Sequence, residues 1–449
     1  MNAPVIETET RDTGRWKALA LMQSAFSYVT LSNLLRVLGA GVLVASVSIF
    51  LLKGWSTGND IQRYLMLLAQ TVLLGVTGLG IGHWVRESKG ARLFLALALV
   101  SAVVNFAVLG GLIYSQLQWD GWLSLYPGFA NWQAGTPAAA FITAVSALLL
   151  LAPVAWIAFL SLARRSALPL TLLFLASGSL LLIPVRQAEP IAALLLVSAV
   201  VLFSQVTRLR RRDTTLATAE GRFARWIVFA PVVMLAGRGM YLYSADAVLF
   251  TVIWATAFMG LRQFSMDPGI SDRTAVFLNR VSVLPAVTTA AGVTTIAADA
   301  NWLADPVYIP MFAVTASALF LDISLRSVSG GSGYRRLASL TVSLAMLANL
   351  WLFPSLLTAA VCLVSGLAIA IYGYSAQQRI VFGAGLFTLI AGVIHQCHTV
   401  FFWFDWSNWV VLALIGIIAI IAGSVLERHG TVLRARLGHW KRSLGEWQN

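Results

Sequence analysis

The chain has 449 residues, 59% hydrophobic and only 11% charged, with a mean hydropathy of +0.81. Soluble domains carry about 25% charged residues, so this composition excludes a soluble fold and calls for lipid as the main solvent. The net charge of +13 does not indicate nucleic acid, because the cations sit in short turns between apolar runs and form no contiguous basic, aromatic-studded surface.

In chain order, residues 1–15 form a polar tail with Glu7, Glu9, Arg11, Asp12 and Arg15. The stretch from Trp16 to Leu31, with Leu19, Met22 and Phe26, fits either an interfacial helix or a linker. The first apolar run starts near Leu34, later than a cleavable leader would place it, so a retained helix is expected. A span needs roughly 20 apolar residues. Such runs fall at 34–53, 63–85, 91–115, 138–163, 167–184, 188–206, 224–243, 246–262, 274–297, 306–325, 335–353, 355–375, 379–403 and 407–427. The weakest is 274–297, which holds Asn279, Arg280 and Pro285. The expected fold is therefore an all-α membrane bundle of about 14 transmembrane helices. It divides into a tail (1–33), six helices (34–206), a basic loop (207–225), eight helices (226–427) and a basic tail (428–449).

The basic loop orients this threading. It carries Arg208, Arg210, Arg211, Arg212, Arg222 and Arg225 between two apolar runs, and arginine beside a span resists translocation. With that loop inside, twenty-five Lys and Arg fall on the inner side. Only Lys53, Arg63 and Arg186 fall outside, and Arg36, Arg238 and Arg280 lie within spans. Both termini are thus expected to be cytoplasmic, with the inner turns meeting anionic headgroups. The longest outer turn, about 116–137, holds Trp119, Trp122, Trp132, Tyr126 and Phe129 and no Lys or Arg. It is expected to fold back on the membrane surface, with a lid over an outward cavity as the alternative.

Ionisable groups inside spans are costly, which makes them functional candidates. Arg238, in LAGRGMYLY, could face a cavity that takes an anionic substrate or a buried acid, or snorkel to the outer interface; Gly237 and Gly239 are expected to allow close backbone approach. Arg280 and Asn279 sit near an inner helix end, where snorkelling is the simpler account. Asp322 stands one turn before Arg326, as in an i,i+4 pair, with proton coupling as the alternative. Asn105 is a mid-span amide suited to joining helices. His395 and His398 share a helix face, but a structural zinc needs about four ligands and no second histidine cluster exists. No metal and no cofactor is therefore expected. Cys362 and Cys397 lie in apolar runs and are expected as small buried hydrophobes. No HExxH, GxSxG or Walker loop is present and the outer acids are isolated, so no catalytic residue is assigned.

The inner turn GHWVRESKGARLFL (82–95) resembles the inner-loop motif of major facilitator transporters, without its aspartate and with the glycine spacing off by one. The segments LRVLGAGVLVASVSIFLLKGW, YGYSAQQRIVFGAGLF, VFFWFDWSNW and LIGIIAIIAGSVLERHG resemble certain bacterial predicted membrane proteins of unassigned role. That resemblance implies a bacterial inner membrane and carries no catalytic residues over. Three function classes follow in order of support. The first is a secondary transporter or flippase of an anionic or lipid-linked substrate. The second is a membrane scaffold or accessory subunit of an envelope complex with a membrane-protein partner. The third is a membrane enzyme without a recognisable motif.

Overall fold

The computed structural model describes residues 31–52, 59–117, 130–242, 246–327 and 331–403. The chain divides into two compact units, Met1–Tyr243 and Ser244–Asn449. Among the described residues all regular structure is helical. Ten helices are long and apolar enough to cross a membrane, or eleven if one bent pair counts as a single span. The protein is therefore a multi-pass helical membrane protein, and its outer helix faces would contact the bilayer.

The first unit is built around α3 (Ser88–Leu117). Its apolar window is 61% buried, against 33–44% for the other spans of this unit. Small side chains explain why neighbours can surround it: Ala91, Ala98, Ser101, Ala102, Gly110 and Gly111 are all buried along it. Against it lie α2 (Asp60–Gly80), α4 (Pro137–Leu162), α5 (Ala167–Ser179) and α8 (Ala230–Leu242). α1 (Leu31–Leu52) touches it lightly, with an apolar core over Leu38–Ile49. At mid-height a polar knot joins α2 to α3. Asn105 Nδ2 donates to Thr71 Oγ1 at 2.7 Å and to the Ser101 carbonyl at 2.9 Å, and the Thr71 and Ser101 hydroxyls lie 2.6 Å apart.

The stretch expected as a basic loop is folded instead. α6 (Ala188–Arg212) continues through the arginines, because nothing before Asp213 breaks the helix. Asp213 then accepts from the Thr215 N–H at 3.0 Å and the Thr215 hydroxyl at 2.6 Å, turning the chain into α7 (Ala219–Ile227). Its other oxygen takes the Ser166 hydroxyl at 2.6 Å, and Arg92 Nη1 meets Glu220 Oε1 at 2.8 Å. These bonds tie α3, the start of α5, α6 and α7 together at the arginine-rich end. Burial alone would raise the Asp213 pKa. The Ser166 and Thr215 donors and the nearby Arg165 outweigh it, so the carboxyl is held below the usual carboxylate range. A depressed carboxylate stabilises the fold above its unfolded pKa of about 3.9, and the gain is lost as pH falls through the folded value. Asp213→Ala is therefore expected to cost about 1–2 kcal/mol at pH 7. Thermal melts in detergent should show the gap to the natural protein closing as the pH falls below the usual carboxylate range; a gap that stays constant with pH would refute the charge account.

α7 and α8 form one bent pair, turned by 43° at their junction. Pro231 has no N–H for the Ile227 carbonyl, which breaks the ladder there. The adjacent Val228 carbonyl accepts from Ser177 Oγ of α5 at 2.9 Å, so the bend is held from the side.

The second unit comprises α9 (Ala247–Ser265), α10 (Asp272–Val281), α11 (Val283–Asp299), α12 (Tyr308–Arg326), α13 (Ser332–Leu352), α14 (Leu356–Ser375) and α15 (Arg379–Trp403). Phe258, Ala286, Ala290, Ala316, Phe320 and Ile323 pack one cluster, and Ala313, Met346, Ala359 and Cys362 pack a second. The weakest expected span is helical throughout Asp272–Asp299, interrupted only at Ser282, whose hydroxyl bonds back to the Leu278 carbonyl at 2.7 Å. α14 and α15 meet backbone to backbone: a Cβ at Gly366 would stand 2.6 Å from the Leu389 nitrogen, and one at Gly385 would strike Ala370. Cys362 is buried as expected, but Cys397 is exposed. Periodicity alone could not set the rotation of α15 that turns Cys397 outward. The expected span at 407–427, the basic tail after it and residues 1–30 lie outside the described residues, and the last three residues of the expected first tail, 31–33, open α1.

Candidate functional site

At the end of the first unit opposite the arginine-rich collar, a cavity of about 290 Å³ opens between α3, α8 and the segment leading into α6. Its walls are mostly apolar, with Val104, Ala107 and Val108 from α3 and Met234 from α8. Two of its lining residues are arginines, Arg186 and Arg238. None of the lining residues, all of them described, is acidic.

Each cation is held from behind. Arg238 Nη1 donates to the Leu181 carbonyl at 3.2 Å. That carbonyl is delivered by a single 3₁₀ turn, Leu180–Leu182, at the end of α5. It reaches Arg238 because α3 presents Gly110 there, where a Cβ would collide with Leu181 O and stand 3.1 Å from Arg238 Nη1. Arg186 stacks its guanidinium on the buried Tyr114 ring, 3.3 Å from the centroid, an arrangement that leaves the ring's electrons to offset part of the charge. On the far wall Trp132 is 4% exposed and is backed by Arg63, 4.4 Å from its ring centroid. Trp132 is carried in by the end of the long aromatic turn, where Gln133 N–H donates to Asp60 Oδ2 at 2.8 Å and Ala134 N–H to Ser115 Oγ at 3.1 Å.

Arg238 thus lines a cavity and lies four residues from the end of its helix, ~6 Å below it. Its partners Arg186, Arg63 and Trp132 were legible only as outer-turn residues; their spacing carries no signal of convergence. Gly237 does not serve close backbone approach, since a Cβ there would meet nothing within 4 Å. It faces the cavity.

The remaining candidates are scattered. Asn105 is fully buried in the α2–α3 knot below the cavity. Arg280 is exposed on α10, beside the buried Asn279. Asp322 accepts from Arg262 Nε through both oxygens, at 3.0 and 3.1 Å, and stands 3.5 Å from Arg326 Nε. His395 is half-buried on α15, and the His398 side chain lies outside the described residues. Among the described residues no three His, Cys, Asp or Glu side chains are grouped to hold a metal ion. The turn after α2 has Arg86 in the left-handed region, φ 55°, followed by Glu87, whose carboxylate accepts from the N–H groups of Lys89 at 3.0 Å and Gly90 at 2.5 Å, capping α3.

No protein-family model, curated protein or solved structure matches this chain.

Proposed function

We propose that this protein is a secondary transporter or flippase of an anionic, lipid-linked substrate, and that the cavity between Arg186 and Arg238 is its substrate site. The observation that carries this reading is that two arginines, Arg186 and Arg238, line one cavity whose other described walls are mostly apolar. Arginine offers planar, paired donors that suit phosphate and carboxylate, and apolar walls suit the remainder of an amphiphile. The crowding of most of the first unit's cations at the Asp213 end, against Arg63, Arg186 and Arg238 at the other, supports both termini in the cytoplasm and about fourteen spans. The resembling segments support a bacterial inner membrane, with anionic headgroups at the basic inner turns.

The test uses proteoliposomes of the full chain, with labelled inorganic phosphate and a fluorescently tagged phosphatidylglycerol as probes. One of the two is expected to cross faster than in empty liposomes. Arg238→Gln and Arg186→Gln should each slow it by about tenfold or more, one charge-assisted contact being lost, with melting temperatures little changed. If neither probe moves, or both variants transport like the natural protein, the site reading fails and a scaffold that co-purifies with a membrane-protein partner takes its place.

A further inference from the structure

Where α9 and α12 both finish, the second unit carries an ion cluster whose charges do not balance. Arg262, three residues before the end of α9, gives its Nε to both oxygens of Asp322, at 3.0 and 3.1 Å. Arg326, the last residue of α12, reaches the same carboxylate only at 3.5 Å from its Nε, an ion-pair distance too long for a hydrogen bond. Its side chain is 4% exposed, and among the described residues none of its three guanidinium nitrogens has a hydrogen-bond partner. Arginine at a helix C-terminus ordinarily bonds the last carbonyls; this one lies over the Phe258 ring, 5.0 Å from the centroid. The other titratable groups it feels are Arg262 and Tyr334, and Tyr334 in turn feels Arg280. None of these supplies a negative charge at neutral pH. Two guanidinium groups thus share one carboxylate, and the buried one holds the poorer share. Buried donors without acceptors are costly, so the cluster favours any state that brings in one more negative charge.

We infer that this cluster binds a phosphate-bearing anion, which takes Arg262 from the exposed side and hands Asp322 over to Arg326. Exposure sets the order of events. Arg262 and Asp322 are 40% and 30% exposed, so an incoming anion meets Arg262 and not Arg326. Arginine's paired donors suit phosphate oxygens. Once they are engaged, the carboxylate needs only a short turn to bond Arg326, and two cations then face two negative charges. Two helix ends lie near headgroup level, so a bilayer lipid and a free phosphate ion can both present these oxygens. The inference does not depend on the upper cavity of the first unit, the one that Arg186 and Arg238 line.

Thermal melts of the full chain in detergent test this, with Arg186→Gln and Arg238→Gln in place so that the upper cavity does not contribute; the natural chain serves if that background does not fold. The probes are inorganic phosphate, dioleoylphosphatidylglycerol and dioleoylphosphatidylcholine, and affinities follow from how the midpoint rises with concentration. A rise with phosphate assigns the site to a free anion, and a rise with phosphatidylglycerol alone assigns it to a lipid headgroup. Arg262→Gln should weaken binding about tenfold or more. Arg326→Met should weaken it about tenfold too, although Arg326 does not touch the anion, because Asp322 then stays on Arg262; Arg326→Leu serves if that variant does not fold. With Asp322→Asn in place there is no carboxylate to hand over, and Arg326→Met should change affinity little. An equal loss in both backgrounds, or no loss in either, overturns the handover. No rise with any probe, or a rise with phosphatidylcholine equal to that with phosphatidylglycerol and indifferent to Arg262→Gln, overturns the site itself.

Discussion

Gly110→Leu is expected to cost more than about 3 kcal/mol and to abolish anion binding at the upper cavity, and Gly110→Ala should reproduce both effects in milder form. The position is on the central helix of the first unit, where a Cβ would strike the Leu181 carbonyl. Two effects oppose each other in the alanine variant. Alanine is about 1 kcal/mol better than glycine within a helix, whereas overpacking a tight contact costs roughly 1–3 kcal/mol. The clash wins here because the obstructing atom is backbone, fixed by the 3₁₀ turn, and cannot rotate away. The functional consequence follows from the same atom: displacing the Leu181 carbonyl removes the acceptor that aims Arg238. Gly237→Ala is the control. It lies on the same cavity with nothing within 4 Å of a new Cβ, so it should be neutral or stabilise by about 0.5–1 kcal/mol. Melting curves of the three variants in one detergent separate the cases. A Gly110→Leu protein as stable as the natural one would show that α3 and α5 are not in this contact.

The contrast between these glycines shows how far the amino-acid order alone could be read. Hydropathy located the long helices because crossing a bilayer demands a run of apolar residues whatever the neighbours are. Ten expected spans reappear as long apolar helices at nearly the same boundaries. Others differ for local reasons. Arg335, Arg336 and Asn349 lower the hydropathy of α13, and Pro231 splits another span into a bent pair. Hydropathy does not report how each helix is rotated, and the candidate site depends on rotation. Arg238 could be singled out as a cation within a span, but its convergence with Arg186 needed the Tyr114 ring and the turn at Leu180–Leu182, both remote in sequence. Gly383 and Gly385 look equivalent as letters. Only Gly385 touches another backbone, while Gly383 faces open space. Likewise the i,i+4 spacing made Arg326 the expected partner of Asp322, yet the shorter contacts come from Arg262, sixty positions away.

That ion cluster in the second unit sets the other large expected effect: Asp322→Ala should destabilise the protein by about 3 kcal/mol. One carboxylate serves two guanidinium groups. Arg262 approaches both oxygens, and Arg326, whose side chain is 4% exposed, lies 5.0 Å from the Phe258 ring centroid. Removing the acid leaves two cations facing each other, one of them almost fully out of solvent. Breaking a buried pair costs about 3–5 kcal/mol. The 30% and 40% exposure of Asp322 and Arg262 puts this one at the lower end, since exposed members of a pair contribute little. The double variant Asp322→Ala with Arg326→Met distinguishes a stranded charge from a lost contact. It removes the buried cation together with its partner, leaves Arg262 able to reach solvent, and should recover most of the stability. Unfolding curves of the two variants decide it: if the double variant is as unstable as Asp322→Ala, the loss comes from packing around position 322 and not from the buried guanidinium. Asp322→Asn keeps the shape while discarding the charge. A protein carrying it that folds normally yet no longer moves its substrate would assign Asp322 to coupling; normal transport with reduced stability would assign it to holding α9 against α12.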